Sequence, residues 1–280
     1  MQIHDEIQET DYITPDQPGG IPGWHEDLPV FRIYTCGLFS IEMLVEVPEG
    51  NPVQARYITL PQERLYGRGP GSALKMVKLL VSQEGRYAPK DWLRTHLREE
   101  EEIISTNKRL ENILSYLRCH LLTLPSGKKL KGLITYVRAT TDTGDGYQLA
   151  GYPLIWIDID ALAWNIKHAC LKERFHEEAF TYWQRAYDLA SRGTFLLEEA
   201  TSEWATRPRE AAEDQMRQSV RALSHLYLAR FGTSAEEDVI RLLSAYQRMH
   251  PTDEDALRPL LQLLNQRQEY NRVLEYYDQL

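Results

Sequence analysis

Residues 107–121 read NKRLENILSYLRCHL. Leu110, Ile113, Leu114, Leu117 and Leu121 recur at steps of three and four, the period of one buried helix face, and Ser105 just upstream fits an N-cap. The opposite face then carries Lys108, Arg109, Asn112, Ser115 and Tyr116, with Cys119 close by. A helix with an apolar stripe on one side and cations and an amide on the other decides how its neighbours are read.

Working outward, SALKMVKLLVS (72–82) has Leu74, Val77, Leu80 and Val81 at helical spacing, with Gly85 as the stop. APKDWLRTHL (88–97) opens on Pro89 and carries Trp92, Leu93 and Leu97 on one face. Downstream, LITYVRA (133–139) and YQLAGY (147–152) read as strands on either side of TTDTGDG. Further upstream, FRIYTCGLFSIEMLV (31–45) and VQARYITL (53–60), separated by PEGNP, predict an N-terminal hairpin. The order sheet, helix, helix, helix, hairpin is the layout of a winged helix-turn-helix, whose third helix enters a DNA groove while the hairpin touches the adjacent backbone.

After IWIDIDALAW (155–164) the pattern is helical only. About six amphipathic helices are expected, near 160–173, 176–191, 207–230, 235–249, 253–265 and 269–279, with turns at His250-Pro251 and Asn265 to Gln268. Short helices joined by short turns are the layout of a helical-hairpin repeat. The last helix has no polar cap, which suggests a longer protein trimmed at Leu280. Residues 1–30 hold seven acids, no Lys or Arg, and Pro-Gly punctuation, and are read as a flexible acidic tail. The expected fold class is therefore an α+β winged helix-turn-helix domain (31–152) followed by an all-α helical-hairpin, tetratricopeptide-like domain (153–280).

The net charge of −9 over 280 residues argues against nucleic acid until it is divided along the chain. Residues 62–138 hold fifteen Lys/Arg against eight acids, a surplus of +7, while 1–30, 31–61 and 139–280 carry −7, −1 and −8. A cationic segment inside an anionic chain is the footprint of a polyanion-binding region, and equally of a basic face that only maintains solubility. No apolar run reaches the roughly 18 residues of a membrane span, and the first twenty residues lack the regions of a signal peptide, so a cytoplasmic protein is expected. Cys36, Cys119 and Cys170 form no C-x-x-C pair and are expected to be reduced thiols.

Several chemistries fail on spacing. Gly144-x-Gly146 lacks the third glycine and following helix of a dinucleotide loop, and no G-x-x-x-x-G-K-[ST] occurs. D-T-G-D-G has no glutamate at the twelfth position of a calcium loop. There is no H-E-x-x-H, and His168 with Cys170 is a lone pair that fits packing better than a metal site. No serine or cysteine occupies a nucleophile motif. Neither an enzyme nor a cofactor is expected.

The segments 67–97, 107–121 and 134–149 resemble the DNA-binding domain of OmpR-type regulators. Leu110, Leu114, Leu117, Arg118 and Leu121 match that family's third-helix pattern, and Gly144, Gly146, Tyr147, Gln148 and Leu149 match the end of its wing. WIDIDALAW, SRGTFLLEE (191–199), EWATRPRE (203–210) and MHPTDEDALRPLLQLL are similar to the bacterial transcriptional activator domain that follows such a winged helix in the antibiotic regulatory protein (SARP) family. Together the two resemblances cover about residues 31–280. They imply a transcription regulator on double-stranded DNA, with a helical domain serving dimerisation, an effector or RNA polymerase.

By position, the resemblance puts Lys108, Asn112 and Tyr116 at bases and Arg118 at the DNA backbone. Lys and Arg reach guanine edges or phosphates, and Asn pairs with adenine through its amide. Tyr116 reads equally as a half-buried packing residue, and Arg118 as a surface ion pair. Two features depart from the family: an uncharged ring at 116, where relatives are often basic, and the extra ATTDT between Arg138 and the turn. Asp142 and Asp145 would repel phosphate, which leaves wing contacts to Arg138, Thr140 and Thr141. Glu99 to Glu102 falls where the family touches RNA polymerase, and fits a solvated acidic loop at least as well. A rival reading is a protein-interaction scaffold; a surplus of cations along the third helix and wing favours DNA, and one on the opposite face favours the scaffold.

Overall fold

The computed structural model describes residues 28–46, 55–60, 71–97, 106–121, 132–140, 144–172 and 176–277. The expected acidic tail, the Glu99–Glu102 run and Thr141 lie outside these residues, apart from the tail's last three positions.

Strands β1 (Phe31–Tyr34), β2 (Ser40–Glu46) and β3 (Arg56–Thr59) run antiparallel in the order β3-β2-β1. The aromatic and β-branched run 31–45 is two strands, broken at Gly37, whose φ of +84° suits a residue without a Cβ. A seventh strand, Ile155–Ile157, pairs parallel with β1 on its other edge, with Phe31 opposite Ile155 and Ile33 opposite Ile157. The sheet thus begins near residue 31 and closes beyond residue 154.

Helix α1 (Gly71–Val81) packs almost all round: Ala73, Leu74, Met76, Val77, Leu79, Leu80 and Val81 are buried. A turn at Glu84–Arg86 leads into β4 (Tyr87–Pro89), and α2 (Lys90–His96) starts directly behind Pro89. Helix α3 (Thr106–Tyr116) continues as a wider, π-type turn over Leu117–Leu121. Strands β5 (Ile134–Val137) and β6 (Gly146–Leu149) form the following hairpin, and β4 pairs with β6 to give a second sheet, β4-β6-β5. Leu93, Leu110, Ile113, Leu114, Leu117, Leu133, Ile134, Tyr147 and Leu149 share one core with β1, β2 and α1.

With β7 (Ile155–Ile157) placed, the chain turns all-helical: α4 (Asp158–Leu171), α5 (His176–Ala190), α6 (Glu203–Phe231), α7 (Glu236–Met249), α8 (Glu254–Gln266) and α9 (Tyr270–Tyr277). The molecule is thus a mixed β/α region followed by a long all-α region. Sequential helices pack against one another around a second core that includes Trp156, Leu162, Trp183, Val220, Leu223, Ile240, Tyr246 and Leu260. Asp253 pins three of them. It caps α8 by accepting from the Asp255 and Ala256 amides, while its Oδ2 receives Tyr246 Oη of α7 and Arg217 Nε of α6, both at 2.6 Å. Burial pushes the Asp253 carboxyl up, but these donors outweigh it and hold the pKa below the ordinary value.

The two regions meet over polar contacts. Asp158, fully buried at the start of α4, accepts from the Thr35 amide and hydroxyl and the Cys36 amide at 2.6–2.9 Å, and from the Ile159 amide at 2.8 Å. Burial raises its pKa despite those donors, and burial beside Asp158 raises the Cys36 thiol well above its usual range. Lys78 of α1 reaches Glu198 Oε2 at 2.8 Å and Glu199 Oε1 at 3.1 Å, and Arg86 pairs with Asp160. Burial alone would lower the Lys78 pKa; the two carboxylates overcome it and raise the value.

Candidate nucleic-acid interface

The roll of α3 is fixed by Leu110, Ile113 and Leu114, with Leu117 at its end, each buried and each contributing about 1.5–3 kcal/mol by leaving water. With that stripe inside, Lys108, Asn112 and Ser115 are exposed along the opposite side at helical spacing, and Arg109 is half-buried beside them. These four predicted residues therefore share the outer surface of one helix. Tyr116 sits differently: it is half-buried and packs against the N-terminal core. Arg118, in the wider turn, is exposed and donates from Nη2 to the Ile134 carbonyl of β5 at 3.0 Å. Its guanidinium therefore ties the end of the helix to the hairpin.

The hairpin is held to the rest of the mixed β/α region by two further contacts. Tyr147 is buried in the shared core, with the Tyr136 ring edge-on at 5.6 Å. On the other side, β4 lies so close that a Cβ on Gly146 would collide with the Ala88 carbonyl and the Tyr87 ring, so only glycine fits there. Gly144 has open space around it, and its carbonyl accepts from Tyr87 Oη. Arg138 and Thr140 are exposed at the base of the loop, and Thr141 is outside the described residues.

Asp145 does something the sequence reading missed. Its Oδ1 accepts from the Ala139 amide at 2.8 Å, its carbonyl accepts from the Lys90 amide at 2.7 Å, and its carboxylate also bonds the Tyr136 hydroxyl. The Tyr136 and Ala139 bonds hold the Asp145 pKa below its ordinary value, with Lys90 and Arg138 adding to the effect. The acid therefore closes the hairpin across its neck, and nearby cations offset its charge. An aspartate just before a glycine in a turn was the available hint, since Asp side chains commonly bond backbone amides nearby.

Of the fifteen Lys/Arg in 62–138, nine are among the described residues. Lys78 and Arg86 are committed to the helical region, and Arg94 pairs with Asp91. Lys108, Arg109, Arg118 and Arg138 lie on α3, its last turn and the hairpin, beside the acids Glu111 and Asp145. Among the described residues no group of three or more His, Cys, Asp or Glu could hold a metal ion, and no helix is long and apolar enough to cross a membrane.

No family model, no curated protein and no solved structure matches this chain.

Proposed function

We propose that the chain is a sequence-specific bacterial transcription regulator that binds duplex DNA through a winged helix-turn-helix. In this reading α3 is the recognition helix, β5-β6 the wing, and the all-α region serves dimerisation, an effector or RNA polymerase. The observation that carries it is the outward face of α3, where Lys108 and the amide of Asn112 are exposed with Arg109 half-buried beside them, Arg118 following at the helix end and Arg138 exposed on the hairpin. An exposed helix face of that composition, flanked by a hairpin with an arginine at its base, matches what a major groove and its adjacent phosphates require. The pairing of β4 with β6 supports the same reading, because it ties the hairpin to the strand that leads into α2, as a wing needs a fixed base.

The test is fluorescence anisotropy of the intact protein with labelled duplexes selected from a random pool. Binding should weaken with salt, with a log-log slope of about −0.9 for each phosphate neutralised. An enriched sequence should bind more tightly than a scrambled duplex. Absence of enrichment, or binding indifferent to salt, would sink the proposal.

A further inference from the structure

Helices α4, α5 and α6 leave a cleft of about 640 Å³ between them, a volume in the range of small-molecule sites. Three alanines, Ala169, Ala179 and Ala222, make the concavity, and the buried face of Trp183 completes an apolar floor. Along α6 the cleft runs from Asp214 to His225, about 16 Å at the rise of an α-helix. Its floor is apolar along that length.

Its charge is graded from end to end. Arg217 is committed to Asp214 at 2.5 Å and Asp253 at 2.6 Å, so the first part of the cleft offers no free cation. One turn further on, Arg221 is exposed and enters no ion pair among the described residues, and His225 stands a turn beyond it on the same face. This cationic end belongs to the half of the chain that carries −8. A guanidinium with no ion pair among the described residues, beside an apolar slot, selects a ligand with an apolar body and an anionic end.

We propose that this cleft binds an elongated amphipathic anion of the medium-chain acyl carboxylate class. The carboxylate pairs with Arg221 and accepts from the His225 ring, and the chain lies along the alanine floor toward Asp214. This site is independent of the DNA reading, because none of its residues belongs to the mixed β/α region.

Cys170 provides the readout, since it is exposed and lines the same cleft, with Gln218 Nε2 at 3.8 Å from its sulfur. Alkylation of Cys170 by N-ethylmaleimide is followed on the full chain by peptide mass spectrometry, with decanoate added below its micellar range. Decanoate should slow labelling at Cys170, and decyltrimethylammonium, with the same tail and the opposite charge, should not. Arg221→Met should raise the decanoate needed for half-protection by roughly tenfold or more, the loss expected for a charge-assisted contact. Ala222→Phe, which fills the floor, should abolish protection. Ala222 is half-buried, so Arg221→Met at an exposed position keeps the test decisive if the other variant folds poorly. No slowing by decanoate, equal slowing by the cation, or undiminished protection in Arg221→Met would each overturn the proposal.

Discussion

Asn112 stands one turn beyond Lys108 and just short of one turn before Ser115, exposed at the middle of the α3 face. Its amide can donate and accept in one plane, which suits the adenine edge, whereas an arginine at a loop base serves any phosphate within reach. The two roles separate experimentally. Asn112→Ala should cost about 1–3 kcal/mol on the selected sequence and almost nothing on random duplex. Arg138→Ala should weaken both alike and lower the salt slope by about 1. Anisotropy titrations of both variants on both duplexes check this, and equal losses for Asn112→Ala on selected and random DNA would contradict the assignment. Tyr116 and Arg118 carry a different expectation, because one packs on the core and the other bonds the Ile134 carbonyl. Substituting either should lower stability as well as affinity, so neither is a clean probe of base contact.

At the scale of elements, the hairpin depends on how closely β4 approaches β6. Gly146→Ala would press a methyl group against the Tyr87 ring and the Ala88 carbonyl, and the latter is backbone of β4, which is paired to β6. The expected cost is on the order of 2 kcal/mol, the range of overpacking at a tight contact. Gly144→Ala, with open space around it, should change the thermal midpoint little. A Gly146→Ala variant that melts like the parent would show that β4 and β6 part freely. The same strands mark the limit of what could be read from sequence. Helices announce themselves through local spacing, and the apolar stripes of α1, α3 and α5 to α8 place those helices within a few residues. Strand β4 is three residues long, and its partner Tyr147 lies far along the chain from Ala88, so YAP carries no local period and looked like the opening of α2. IWI likewise looked like the approach to α4, because its pairing with β1 spans most of the chain. Within the candidate interface, the outward face of α3 was legible because its apolar residues fix the inward one. The neck-closing role of Asp145 was not, because it depends on which amide and hydroxyl the folded hairpin brings to one carboxylate.

For the molecule as a whole, the question is whether the mixed β/α region and the helices unfold together. Strand β7 is an edge of the first sheet and runs directly into α4, so the junction is part of one core rather than a tether. Its polar centre is Asp158. Both carboxylate oxygens are engaged by N–H donors, Oδ1 by Thr35 and Ile159 and Oδ2 by Thr35 and Cys36. Asp158→Asn keeps the shape but turns an NH₂ group toward N–H donors in a buried site, leaving at least one of them without an acceptor. That should cost about 3 kcal/mol, within the range for a broken buried charged network. Urea unfolding, followed in parallel by tryptophan fluorescence and far-ultraviolet circular dichroism, checks both statements. In the parent the two probes should trace a single transition, since the core and the Lys78 and Arg86 ion pairs bridge both regions. In Asp158→Asn the midpoint should fall and the two curves separate, as the first sheet loses its hold on α4. Curves that already diverge in the parent would mean that the junction couples the regions weakly, and that a ligand held by the helices could not be sensed at α3 through it.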